Sequence, residues 1–256
     1  MVLPKPLTLP AEALVRLVAL ENLGELHVTL KPAGVWRPQQ LEHEEETAAR
    51  AEFARTGLFD RHGRLDIELV ASLAVLCRPG AEFYGWITKD GHTVAVLAAA
   101  IGREAILAVR DGDSVSLTQI RPETLPEALV AQTPEVPPGR GEAFSLMQAD
   151  ALASVGGRQR TEAGVGTRPA GTEVRLAQKI AELPTTGGGQ LSVAFRDSLG
   201  RRRSSPHPLR FADTSAGRWL NLMTPINANE NRILIAPASR RDLVVRLQEM
   251  HRSLSR

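Results

Sequence analysis

Three short turns constrain this chain more than any other feature. Lys89-Asp90-Gly91, Gly102-Arg103 and Asp111-Gly112-Asp113 divide the stretch from Glu82 to Ile120 into four segments: Glu82–Thr88, His92–Ile101, Glu104–Arg110 and Ser114–Ile120. Each has the length and composition of a strand, and connections this short join antiparallel neighbours. Within the second segment, TVAVLAAAI (Thr93–Ile101) is apolar at both parities. A strand with one wet face would alternate, so this one is expected inside a sheet covered on both sides.

A second group of strands is expected at Glu142–Leu146, Gln190–Arg196, Arg201–Ala212, Arg218–Met223 and Asn231–Ala236, and a short strand at Glu25–Lys31. Helical spacing marks Pro10–Asn22, Pro38–Arg55, Asp66–Cys77, Pro122–Gln132, Gln148–Val155, Thr172–Leu183 and Ser239–Leu254. In Asp66–Cys77 the buried stripe is read as Ile67, Val70, Ala71 and Ala74. Ser239 with Asp242 makes a capping-box-like start for the last helix. The fold class is therefore α+β.

The order of elements repeats. Trp86 with Gly91 parallels Phe195 with Gly200, and Ile120, Pro122, Glu127 and Val130 parallel Ile235, Pro237, Asp242 and Val245. This suggests a single domain spanning 1–256, made of two pseudo-repeats, 1–132 and 142–256, related by a quasi-two-fold axis. TPEVPPGRG (Thr133–Gly141) is the linker between them. Gly156–Gly171, rich in Gly and Arg, reads as a loop.

Composition removes whole classes of function. The single cysteine, Cys77, allows no internal disulfide, which suits a reducing compartment. There is no signal-peptide apolar region and no run of about eighteen apolar residues, so a cytoplasmic protein is expected. Residues 1–132 carry 13 Lys and Arg against 18 Asp and Glu, whereas 133–256 carry 18 against 11. A basic second half leaves nucleic-acid binding or a regulatory role open as an alternative function, although no recognisable module accompanies it.

Searches for catalytic or ligand chemistry end in bland readings. Gly187-Gly188-Gly189 lies after a helix and before a strand, the reverse of a phosphate-binding loop, and reads as a turn. The six histidines show no metal-ligand spacing. Glu44, Glu45 and Glu46 are adjacent on a helix and diverge. Cys77 has Arg78 beside it but no companion histidine, so it reads as a small buried hydrophobe. The expectation is a binding protein with no enzymatic activity, no cofactor and no metal.

LTLPAEALVRL (Leu7–Leu17), FYGWITKDG (Phe83–Gly91), AAIGREAILAVRDGDSVSL (Ala99–Leu117), PPGRGEAFSL (Pro137–Leu146) and RILIAPASRRDLVVRL (Arg232–Leu247) together resemble the EspG family, the chaperones of actinobacterial type VII secretion. The resemblance spans essentially the whole chain. It implies a central antiparallel sheet flanked by helical bundles. It also implies cytoplasmic capture of helical PE/PPE-type substrates by their apolar tip. The chain departs from mycobacterial members at Lys89-Asp90-Gly91, a tight turn where they resemble one another in carrying a longer loop.

For the partner site, the strand Arg218–Met223 offers Trp219 and Met223 on the face opposite Leu220 and Leu222. If helices cover the leucines, Trp219 and Met223 form an apolar anchor. Arg201, Arg202 and Arg203, on or beside a hairpin, are expected to steer an acidic rim. The sequence also leaves a homodimer open.

Overall fold

The computed structural model describes residues 2–32, 58, 62, 64–157, 171–227 and 229–254. The expected helix Pro38–Arg55 and residues 158–170, the body of the Gly- and Arg-rich segment, lie outside them. Among the described residues eleven strands make one antiparallel sheet. The first half supplies β1 (Leu7–Pro10), β2 (Ala81–Lys89), β3 (His92–Ile101), β4 (Glu104–Asp111) and β5 (Ser114–Gln119). The second supplies β6 (Phe144–Met147), β7 (Thr185–Arg196), β8 (Arg202–Ser204), β9 (Leu209–Thr214), β10 (Gly217–Pro225) and β11 (Asn231–Pro237).

The strand order is β1-β5-β4-β3-β2-β7-β9-β10-β11-β6, with β8 pairing the far end of β7. Each half therefore places its first strand at an outer edge, against its own last strand, and its second strand at the centre. The halves meet through β2 and β7, in register from Ala81↔Phe195 to Lys89↔Gly187. The four hairpin strands from β2 to β5 match the sequence expectation closely, and Gly91, Gly102 and Gly112 take the positive φ that their turns need.

Helices cover the sheet unequally. On one face α3 (Leu125–Val130) and α6 (Arg240–Leu254) pack over the middle, burying Leu129, Leu243 and Leu247 against Phe83, Val96, Leu191 and Leu220. The start of α6 is capped reciprocally: the Ser239 amide donates to Asp242 Oδ2, and the Asp242 amide to Ser239 Oγ. On the other face α1 (Ala11–Leu20) and α2 (Ile67–Cys77) bury Leu14, Leu17, Leu69 and Leu73 against Leu97, Ile106 and Leu117. α4 (Gln148–Gly157) and α5 (Thr172–Ala181) sit over the outer strands of the second half. β3 is thus covered on both faces, and Ala95 to Ala100 are all buried.

Five expectations need correction. Glu25–Lys31 forms turns; the strand of this region is Leu7–Pro10, which finds its partner in β5, over a hundred residues away. Gly187, Gly188 and Gly189 lie inside β7. A Cβ at these positions would come within 2.6, 2.7 and 2.5 Å of the carbonyl oxygens of Thr88, Phe211 and Trp86, so the glycines permit close strand approach. Arg201–Ala212 is two strands, β8 and β9, interrupted around Pro206 and Pro208, which have no N–H to offer a ladder. The buried residues of α2 are Leu69, Ser72, Leu73, Val75 and Leu76, while Ile67 is 81% exposed. That helix is apolar almost all round, so periodicity alone could not orient it. Finally, α4 runs on through Gly156 and Gly157, where the sequence predicts a loop.

Candidate functional site

Cross-strand register places a row of side chains on the face that carries α4 and α5. Trp86 of β2 stands beside Gln190 of β7, Gln190 beside Arg210 of β9, Arg210 beside Asn221 of β10, and Asn221 beside Ile235 of β11. Paired residues in a ladder share a face, so these five cross the sheet in one line. Its ends are apolar, with Trp86 half-buried and Ile235 buried; its middle, Gln190, Arg210 and Asn221, is exposed. The parallel row one step along runs Thr88, Gly188, Ala212, Trp219. Gly188 leaves this part of the floor as bare backbone.

Above the rows, Ala177, Ile180 and Ala181 of α5 and Ala151 of α4 form a wall. The result is a groove of about 720 Å³ between these helices and the sheet, with Trp86 and Trp219 in its lining. Among the described residues Arg210 is the sole charged one in that lining. A mostly apolar cleft with a few convergent polar groups is the form binding sites commonly take.

The side chains singled out from sequence are distributed differently from expectation. Trp219 is 6% exposed, enclosed by Leu146, Val174, Ile233 and Ile235, and so contributes to the lining of the groove without projecting from it. The premise that its face of β10 would be uncovered is corrected: α4, α5 and the linker close over it. A Cβ on Gly139 would lie 2.2 Å from Trp219 Nε1, and one on Gly141 3.0 Å from its ring. Met223 is half-buried against the same cluster.

The three arginines also separate. Arg201 Nε donates to Asp197 Oδ2 at 3.0 Å within its own hairpin. Arg202 forks onto Glu82, with Nη2 to Oε2 at 2.7 Å, across the junction of the two halves. Arg203 is exposed. Burial disfavours the Glu82 charge, but hydrogen bonds from His27 and Arg202 outweigh it and hold the carboxyl below the ordinary range.

Sequence reasoning missed Trp86 and Gln190 as site residues; it places Asn221 on the Trp219 face without giving it a role, and it groups Arg210 with Arg201, Arg202 and Arg203 in the basic segment considered for nucleic acid. The alternation along β2 did put Glu82, Tyr84, Trp86 and Thr88 on one face, which was the available signal. Their neighbours on β7, β9 and β10 depend on register between distant strands. Among the described residues no group of three or more His, Cys, Asp or Glu could hold a metal ion, and no helix is long and apolar enough to cross a membrane.

A large antiparallel sheet with helices on its faces and an apolar groove between them has the form that binding sites commonly take. The model of the EspG family matches residues 10–249, and the chain belongs to that family. Membership gives the functional class, a type VII secretion chaperone, which works by binding and not by catalysis. Among solved structures the chain is similar to the Mycobacterium tuberculosis type VII secretion system chaperone EspG5, solved in complex with the PE25-PPE41 dimer. The TM-score is 0.69 at 15% identity, over 95% of each chain. No curated protein matches the chain.

Proposed function

We propose that the groove between α5 and the sheet receives the apolar tip of a helical PE/PPE-type client, which the chain holds in the cytoplasm before export. The observation that carries this reading is the groove itself. It is lined by Trp86, Trp219, Ile180 and Ile235. A helix end presenting apolar side chains would bury them there and be released from contact with water. The fold match to a chaperone solved with a PE–PPE dimer supports the choice of client. In this reading Trp219 lines the groove, Met223 packs against the cluster that holds it, and Arg203, with the outer parts of Arg201 and Arg202, contributes long-range attraction. The palindromic strand order supports a single domain of two pseudo-repeats, 1–132 and 142–256, about a quasi-two-fold axis between β2 and β7.

The alternative, nucleic-acid binding by the basic second half, is weakened by the pairing of Arg201 with Asp197 and Arg202 with Glu82. Co-expression of the chain with each PE/PPE pair of its own genome, followed by size-exclusion chromatography, tests the proposal. A stable ternary complex that persists at moderate salt is expected, and failure to bind any pair overturns it. The free chain run alongside reads monomer against homodimer.

A further inference from the structure

Arg210 is an anomaly in its setting. It stands at the middle of the cross-sheet row, exposed, with Gln190 on one side and Asn221 on the other. Among the described residues its lining companions include no aspartate or glutamate. Two arginines of the same sheet that reach into the fold meet a carboxylate, Arg218 with Asp213 and Arg202 with Glu82, while half-buried Arg110 and Arg196 donate to backbone carbonyls. All four guanidinium groups are therefore used within the fold. Among the described residues Arg210 has no such partner, although it sits where an occupant of the groove would remove it from water.

A guanidinium desolvated without a counter-charge opposes binding, and one that meets a carboxylate in a two-pronged contact favours it and fixes orientation. We infer that Arg210 selects the client, by pairing with a carboxylate carried on the apolar tip that enters the groove. Gln190 and Asn221 flank the pair and can hydrogen-bond its remaining oxygen lone pairs. The apolar walls supply affinity, and the single charge supplies register. A tip of equal hydrophobicity without the acid would leave Arg210 buried and unpaired, and is rejected for that reason. This rests on the client-binding reading of the groove and adds the chemistry that distinguishes one tip from another.

The test uses the full chain and the PE/PPE dimer it captures in the co-expression above, with affinity read by calorimetry. Arg210→Gln is expected to weaken binding by at least about thirtyfold, the usual scale for a desolvated charge pair. Arg210→Glu is expected to weaken it further, and replacing one acidic residue of the client tip by Lys should restore binding to Arg210→Glu alone. Neutralising the tip acids against the wild-type chain gives the same loss without altering the chaperone, so a misfolded Arg210 variant would not hide the answer. Trp86→Ala separates the two claims. If it abolishes capture while Arg210→Gln and the acid-free tip bind within about twofold of wild type, the groove is the site and the carboxylate contact is overturned. If the wild-type chain captures no PE/PPE dimer, both fall.

Discussion

Arg218 holds Asp213 with two prongs, Nε to Oδ1 at 2.6 Å and Nη2 to Oδ2 at 2.9 Å, and neither side chain is more than 1% exposed. The same guanidinium lies over the Phe211 ring, 4.8 Å from its centroid, and donates to Thr133 Oγ1 and to the Pro134 carbonyl oxygen. The linker is therefore fastened to β10 at its beginning, and the Arg218 amide bonds Pro137 O while Gly139 N bonds Arg218 O further along. Removing Arg218 would strand a buried carboxylate. Arg218→Ala should cost about 3–5 kcal/mol, measured by denaturant unfolding. Replacing both partners with apolar residues of similar volume should recover much of that loss.

The Trp219 contact with the linker gives a sharper test of fit. Gly139→Ala places a methyl where the indole now lies. The ring cannot move without disturbing Leu146 and Ile233, so a loss of about 1–3 kcal/mol is expected. The emission of Trp219, isolated by replacing the other two tryptophans with Phe, should change with it.

Trp219→Ala and Trp86→Ala should behave differently although both side chains line the groove. Trp219 is core, and its truncation should cost about 3–5 kcal/mol of stability. Trp86 is half-buried, so Trp86→Ala should cost clearly less stability and show its main effect on client affinity, by at least about 2 kcal/mol. Thermal melts and calorimetry on the two variants separate these outcomes.

Acid stability should fall in two stages. Burial between Phe83 and Phe195 lowers the His251 pKa from 6.5, so its neutral form is favoured by folding and stability declines as pH drops below about 6.5. Glu82 is also depressed, from 4.5; its contribution is complete above that value and is lost as pH falls through the folded-state value. Melting temperatures from pH 8 to pH 3.5 should show both declines, and Glu82→Gln should remove the second while lowering stability at neutral pH.

Burial, opposed in part by Arg78, pushes the Cys77 thiol up to about 11. At pH 8 its alkylation should be about a hundredfold slower than that of a thiol at 9.0, as the thiolate fraction dictates. Mass spectrometry after timed iodoacetamide treatment measures it.

Much of the sheet was legible because the strands from Ala81 to Gln119 are linked by turns whose residues state their geometry. His92–Ile101 has the same bounds in the sequence reading and in the structure. What was illegible depended on partners far away in the chain. Leu7–Pro10 becomes a strand only because β5 is there to receive it. Three glycines look like a turn until β2 and β9 close in on either side. The candidate site suffered most: alternation along β10 could say which residues share a face with Trp219, but not that Val174 and Gly139 would enclose it. Arg210 could not be told from the other arginines before register set it beside Gln190 and Asn221.

The two ends of the sheet are its shortest ladder strands on the main path, β1 and β6, four residues each. An edge exposes unpaired backbone donors and acceptors that can recruit another chain, and brevity is one way to blunt it. β1 also finishes in Pro10, which has no amide hydrogen to lend. A sheet of this width with long open borders would polymerise with its own copies or with any unfolded neighbour. Short borders keep association confined to side-chain chemistry on the sheet's face, so a chain with so wide a sheet does not become a seed for fibres itself.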